Sequence, residues 1–176
     1  MCGIAGVIGV ENNLDVSLKS VVSNMTNVLK HRGPDNTGFY SDEKVMLGNT
    51  RLAIIDPSAK SNLPMSDKND QVWICYNGEV SNFKQLKKEY KLEEKYQFKG
   101  ESDTEVLIYL YLELGIDFIK VLSGMFAFCL FDKRNNKAFL VRDFYGIIPI
   151  FYRIDQGKIY FASEIKSFLE IPNFKK

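Results

Sequence analysis

An apolar, β-rich run occupies residues 3–10 at the very start of this 176-residue chain, and four more closely spaced strand patterns occupy its last third. The helical patterns lie between them. Strands gathered at both ends with helices in the middle do not follow a βαβα alternation, so a doubly wound parallel sheet is excluded. Two mainly antiparallel sheets with helices on their outer faces satisfy this order, giving an α+β chain whose first strand opens at the end of a sandwich. Cys2, immediately before that strand, then stands at the mouth between the sheets.

The remaining pattern fills in the frame. Apolar positions Val16, Leu18, Val21, Val22, Met25, Val28 and Leu29 recur at helical spacing over 14–30, and His31-Arg32-Gly33-Pro34-Asp35 ends that helix. Strands are predicted over 38–40, 45–47 and 52–55, followed by a polar loop over 56–70. The run 71–76 reads as a strand ending on Asn77-Gly78, a pair that tolerates positive φ and makes a tight turn cheap. A solvated lysine-rich helix is expected over 82–91. Ser102-Asp103-Thr104-Glu105 reads as a capped start of a helix through Leu114 whose apolar stripe packs on a sheet. Strands over 125–131, 138–141, 149–153 and 158–161 predict a meander, 163–169 a short closing helix, and 172–176 a tail.

Length and composition bound the function classes. A chain of this size buries roughly 70% of the surface its unfolded form exposes, enough for a single-domain core over 1–176. With 23 basic and 22 acidic residues, the net charge is +1, which leaves no electrostatic footprint for nucleic acid or an anionic membrane. No basic segment precedes an apolar one, and no apolar run reaches the roughly 18 residues that span a bilayer. Three cysteines without CxxC spacing and a single histidine, His31, make no ordinary zinc set, and they indicate a cytoplasmic chain with reduced thiols.

Cys2 carries the chemistry, because removal of Met1 would leave its thiol and a free α-amine on one residue. A thiol works as its thiolate; free cysteine titrates at ~8.5 and an α-amine at ~7.7–8.0, so the amine can take the thiol proton and return it to a leaving group. No histidine is required. The alternative for Cys2 is a small buried strand residue, and the terminus alone does not choose. Asn77 and the Gly78 N–H can supply donors to an oxyanion or simply close a hairpin. Arg51 can be an exposed charge or a fork for a carboxylate. Asp103 can cap a helix or hold an ammonium group. Cys75 and Cys129 read as inert core thiols, and both the His31–Asp35 segment and Arg142-Asp143 with Gly146 and Pro149 as structural turns, the latter with a salt-linked strand end.

Taken in order, Met1–Gly6, His31–Asp35, Arg51–Asp56, Tyr76–Glu79, Ser102–Glu105, Arg142-Asp143 and Ser163-Glu164 resemble the class II glutamine amidotransferase domain, specifically the glutaminase half of glutamine-dependent asparagine synthetases. The resemblance covers nearly the whole chain. It implies the four-layer αββα sandwich of N-terminal nucleophile hydrolases, with Cys2 attacking the side-chain amide of L-glutamine and Asn77 with Gly78 forming the oxyanion hole. It implies further that Arg51 binds the substrate carboxylate, that Glu79 and Asp103 bind its amino end, and that the backbone of Leu52, Ala53, Ile54 and Ile55 lines the pocket. Leu63, Ser81 and Ile148 depart from residues common in that family without removing a catalytic group. No Gly-rich pyrophosphate loop is present, so no cofactor is expected in this chain. ATP and magnesium are expected only in a synthetase domain or separate synthetase subunit that would receive the ammonia, and a homo-oligomer is compatible with the same reading. Two competing functions follow from the same residues: hydrolysis of another amide, and a non-catalytic glutamine sensor.

Overall fold

The computed structural model describes residues 1–11, 13–172 and 174, so most of the expected tail over 172–176, together with Asn12 of the polar stretch after the first strand, lies outside the described residues. Among the described residues nine strands form two antiparallel sheets. The first, of five strands, is ordered β2 (Asn36–Ser41), β3 (Val45–Arg51), β1 (Gly3–Gly9), β9 (Lys158–Ala162) and β8 (Phe151–Asp155). The second, of four, is ordered β4 (Met65–Ser66), β5 (Val72–Val80), β6 (Gly124–Asp132) and β7 (Lys137–Arg142). Helix α1 (Leu18–Asn27) covers the outer face of the first sheet, packing Val21, Val22 and Met25 on Ala5, Val7, Met46 and Tyr160.

Helices α2 (Phe83–Glu89) and α3 (Leu92–Lys95) pack on α4 (Asp103–Leu114), which covers the second sheet. Between the sheets lie Ile4, Ile8, Leu47, Cys75, Ala127, Cys129 and Phe161. The four layers are therefore α, β, β and α, as the resemblance implies. Among the described residues no helix is long and apolar enough to cross a membrane.

Six local expectations give way. The last four strands are not one meander: β6–β7 is a hairpin in one sheet and β8–β9 a hairpin in the other. The crossing is made at Asp143, whose carboxylate accepts the backbone N–H groups of Phe126, Ile147 and Ile148 and knots the connection. Arg142 is not salt-linked to it and donates instead to the carbonyls of Ile148 and Gly146. Residues 52–55 leave the sheet, since β3 ends at Arg51.

Asn77-Gly78 makes no turn, because the pair sits inside β5 opposite Ala127 and Phe126. A nine-residue ladder outweighs the local turn preference. Helix α4 has no single apolar stripe; Asp103–Tyr111 is buried all round because α2, α3 and the 115–121 segment cover its far side. Its expected capping box is also unmade: Ser102 forms no capping bond, and the Glu105 carboxylate accepts instead from the N–H groups of Lys99 and Gly100.

Candidate active site

Strand alternation brings the site together. Side chains two apart share a face, so Cys2 takes the same side as Ile4 and Ile8, which fill the space between the sheets. Asn77 shares a face with Cys75, which points into that space from the other sheet. Both therefore meet at one end of the sandwich, where a cleft of ≈ 680 Å³ up to its open mouth is lined by Cys2, Arg51, Leu52, Ile54, Ile55, Asn77, Gly78, Glu79 and Asp103. Of the residues the sequence singles out, only Ala53 lies outside this lining; its N–H donates to Asp35 at 2.8 Å.

The Cys2 sulfur is held by Leu52, whose N–H donates to it at 3.4 Å and whose carbonyl lies 3.9 Å away. Burial raises the thiol above its ordinary range, against the lowering effects of the Leu52 N–H, the terminal amine and Arg51. With Met1 attached the neighbouring nitrogen is an amide that cannot take the proton. The Asn77 side chain is fully buried, and both its amide nitrogen and its oxygen lack partners. Buried polar groups are nearly always satisfied, so an orphan amide on a cleft wall has a donor and an acceptor that a ligand could use. Gly78 is required by closeness: an added Cβ would meet the Met125 carbonyl at 2.4 Å and Phe126 Cα at 2.6 Å.

Asp103 is not a helix cap. Its Oδ2 accepts from the Tyr76 hydroxyl at 2.7 Å and the Val80 N–H at 3.0 Å, while burial raises its carboxyl above the usual range. Glu79 stands exposed at the mouth. Arg51 is buried on the cleft wall, yet its terminal nitrogens already serve its own loop. Nη1 donates to the Ser58 carbonyl at 2.9 Å and Asn62 Oδ1 at 3.0 Å, and Nη2 to the carbonyls of Ile55, at 3.3 Å, and Asp56. Arg51 thus shapes residues 55–62 as well as charging the wall.

Positioning residues appear that the sequence reading assigned to turns. Arg32 Nε donates to the Cys2 carbonyl at 2.9 Å and Nη1 to Glu164 at 2.8 Å, while His31 lies 2.9 Å from the same carboxylate oxygen. Burial works against ionisation of Glu164, but Arg32, Lys166 and His31 together bring it down to about 2. The turn is also a tether: Gly33 packs where a Cβ would meet the Thr50 carbonyl at 2.5 Å, which keeps Arg32 beside the start of β1. Asn49 links the sheets, donating to the Gly3 carbonyl at 3.2 Å and accepting from the Tyr76 N–H at 2.9 Å. Nothing in local sequence pattern pairs residues so far apart.

A thiol next to the chain start, an orphan amide and carboxylates line a cleft between the two antiparallel sheets of an αββα sandwich, the fold of N-terminal nucleophile hydrolases. A sequence model of the family described as a glutamine amidotransferase domain matches residues 1–176, and the chain belongs to that family of enzyme domains. It is 35% identical over 194 residues to a putative asparagine synthetase [glutamine-hydrolyzing] 2 of Methanocaldococcus jannaschii, covering 100% of this chain and 36% of that protein. It is 36% identical over 172 residues to asparagine synthetase B [glutamine-hydrolyzing] of Escherichia coli, covering 97% of this chain and 30% of that one. The chain thus spans about a third of the length of these relatives. In fold it is similar to the glutamine phosphoribosylpyrophosphate amidotransferase of B. subtilis, with a TM-score of 0.77, 21% identity and coverage of 95% of this chain and 43% of that one.

Proposed function

We propose that this domain hydrolyses the side-chain amide of L-glutamine through Cys2 and passes the ammonia to an asparagine-synthetase-like domain or separate synthetase subunit. The observation that carries the reading is the buried, unpartnered Asn77 amide on the wall shared with the thiol. Once Met1 is removed, the α-amine takes the thiol proton and the sulfur attacks the amide carbon. Asn77 Nδ2 and the Gly78 N–H donate to the resulting oxyanion, and donors so placed are worth about 2.7–4 kcal/mol each. The C–N bond then breaks, the amine returns its proton to the leaving nitrogen, and ammonia departs. Water attacks the γ-glutamyl thioester, releasing glutamate and the thiol.

Specificity for a free amino acid rests on charge at the two ends of the cleft. Asp103 and Glu79 receive the ammonium group, and Arg51 receives the carboxylate, which exchanges with the loop oxygens of Ile55 and Asp56 because a charged acceptor makes the stronger bond. Leu52, Ile54 and Ile55 line the aliphatic stem. The synthetase reading rests on relatives whose length beyond this domain is two to three times its own, and ATP with magnesium would act there. Three free cysteines fit a reducing compartment such as the cytoplasm. In correctly processed protein, Cys2→Ala should abolish glutamate release from glutamine; retained hydrolysis would overturn the proposal. Saturable glutamine binding without turnover would identify a sensor, and equal turnover of amides lacking the α-carboxylate would identify a hydrolase of another amide.

A further inference from the structure

Ser102 precedes α4 at the position where a serine ordinarily caps the helix, and its backbone has the extended conformation of a cap. Its hydroxyl nevertheless caps nothing. Ser102 is 6% exposed, its Oγ has no hydrogen-bond partner, and the residue lines the cleft next to Asp103 as well as a groove of Lys84, Lys87 and Glu93 on its other side. A buried hydroxyl left without a partner costs stability unless something else uses it. Glu105, the residue that would complete a capping box, has turned to the N–H groups of Lys99 and Gly100, so Ser102 is released from a structural task.

The chemistry of the neighbouring groups says what it is released for. An ammonium group has three N–H donors and needs three acceptors. Asp103 and Glu79 provide two carboxylates on the cleft lining, but one Asp103 oxygen is already engaged by Tyr76 and Val80 and Glu79 stands exposed at the mouth, which leaves a single free carboxylate oxygen at the buried end. A neutral hydroxyl oxygen adds an acceptor without a third negative charge, which the buried end of the cleft would tolerate poorly. We propose that Ser102 is a substrate-positioning residue whose Oγ accepts the third N–H of the substrate α-ammonium group. The inference rests on the glutaminase reading and assigns a further determinant of its selectivity for free α-amino acids.

The test compares two substrates on two enzymes: glutamine, and 4-carbamoylbutanoate, which is glutamine without its α-amine. Ser102→Ala should raise KM for glutamine about tenfold, the scale of one hydrogen bond to a charged group, with kcat little altered. On 4-carbamoylbutanoate the two enzymes should show the same kcat/KM. A purely structural role for Ser102 would lower both substrates alike, and that result would overturn the proposal, as would an unchanged KM for glutamine. Ser102→Gly removes the hydroxyl but keeps a residue that starts helices well, so it should repeat the pattern if the alanine variant folds poorly. Failure of the underlying reading is distinguishable, because the unmodified enzyme would then release no glutamate from glutamine.

Discussion

Replacing Asn77 with leucine should make the protein more stable and nearly inactive at once. Leucine has a similar branched shape, and it would remove an amide whose nitrogen and oxygen are both buried and unpartnered between the sheets. An unmade buried polar group costs about 1–3 kcal/mol, so relieving it should raise the melting temperature by roughly 2–4 °C per kcal/mol for a domain of this size. The Gly78 N–H remains, so one of two oxyanion donors is lost and kcat should fall about 10²–10³-fold, with KM for glutamine changed far less. Thermal denaturation and a glutamate-release assay on the same preparation check both halves. A variant that melts lower while keeping its turnover would refute the reasoning, since Asn77 would then be ordinary packing and not a donor held for a transition state.

Other perturbations separate the remaining roles. Arg32→Lys should lower kcat, because one point charge cannot hold both the Cys2 carbonyl and Glu164 as the guanidinium fork does; unchanged kcat would remove Arg32 from the site. Glu164 is lowered in the folded protein to about 2, so the stability it contributes is present above the ordinary glutamate range and lost as pH falls towards 2; an acid melting series in which Glu164→Gln matches the parent at pH 5 would contradict this. Asp103 is shifted upwards by burial, so on acidification it protonates before an ordinary aspartate and KM for glutamine should rise there; Asp103→Asn should raise KM throughout and flatten that limb. Gly78→Ala should be destabilised by about 1–3 kcal/mol, because its Cβ would press on the backbone of Met125 and Phe126; an unchanged melting temperature would count against the close approach.

Element order, sheet alternation and the placement of Cys2 could be read from the sequence because each depends on local periodicity. The opening strand and its parity put the thiol between the sheets before any long-range contact is known. Sheet membership of the last two hairpins could not be read that way. A hairpin has the same local pattern in either sheet, and the choice is made by the Asp143 knot and by pairing of β9 with β1, about 155 residues away. Asn77-Gly78 carries turn chemistry that the β5–β6 ladder overrides.

The site divides along the same line. The types of Asn77, Arg51 and Asp103 suggest their chemistry, but the loop oxygens gathered on Arg51 arise only when residues 55–62 fold back. The link from Arg32 to Glu164 spans 132 positions, so a turn and the start of a closing helix conceal one support for the nucleophile. Ser102 misleads in the opposite direction, since its sequence context describes a cap that the folded chain does not make.

The central claim is that Cys2, freed of Met1, carries the glutamyl group. The most direct measurement is mass spectrometry of the N-terminal peptide from chain quenched in acid during turnover of glutamine. The account predicts a peptide that begins at Cys2 and bears one glutamyl group, absent from the Cys2→Ser control under the same quench when that variant is inactive. Active protein whose peptide still begins at Met1, or steady glutamate release with Cys2 unacylated at every quench time, would contradict it.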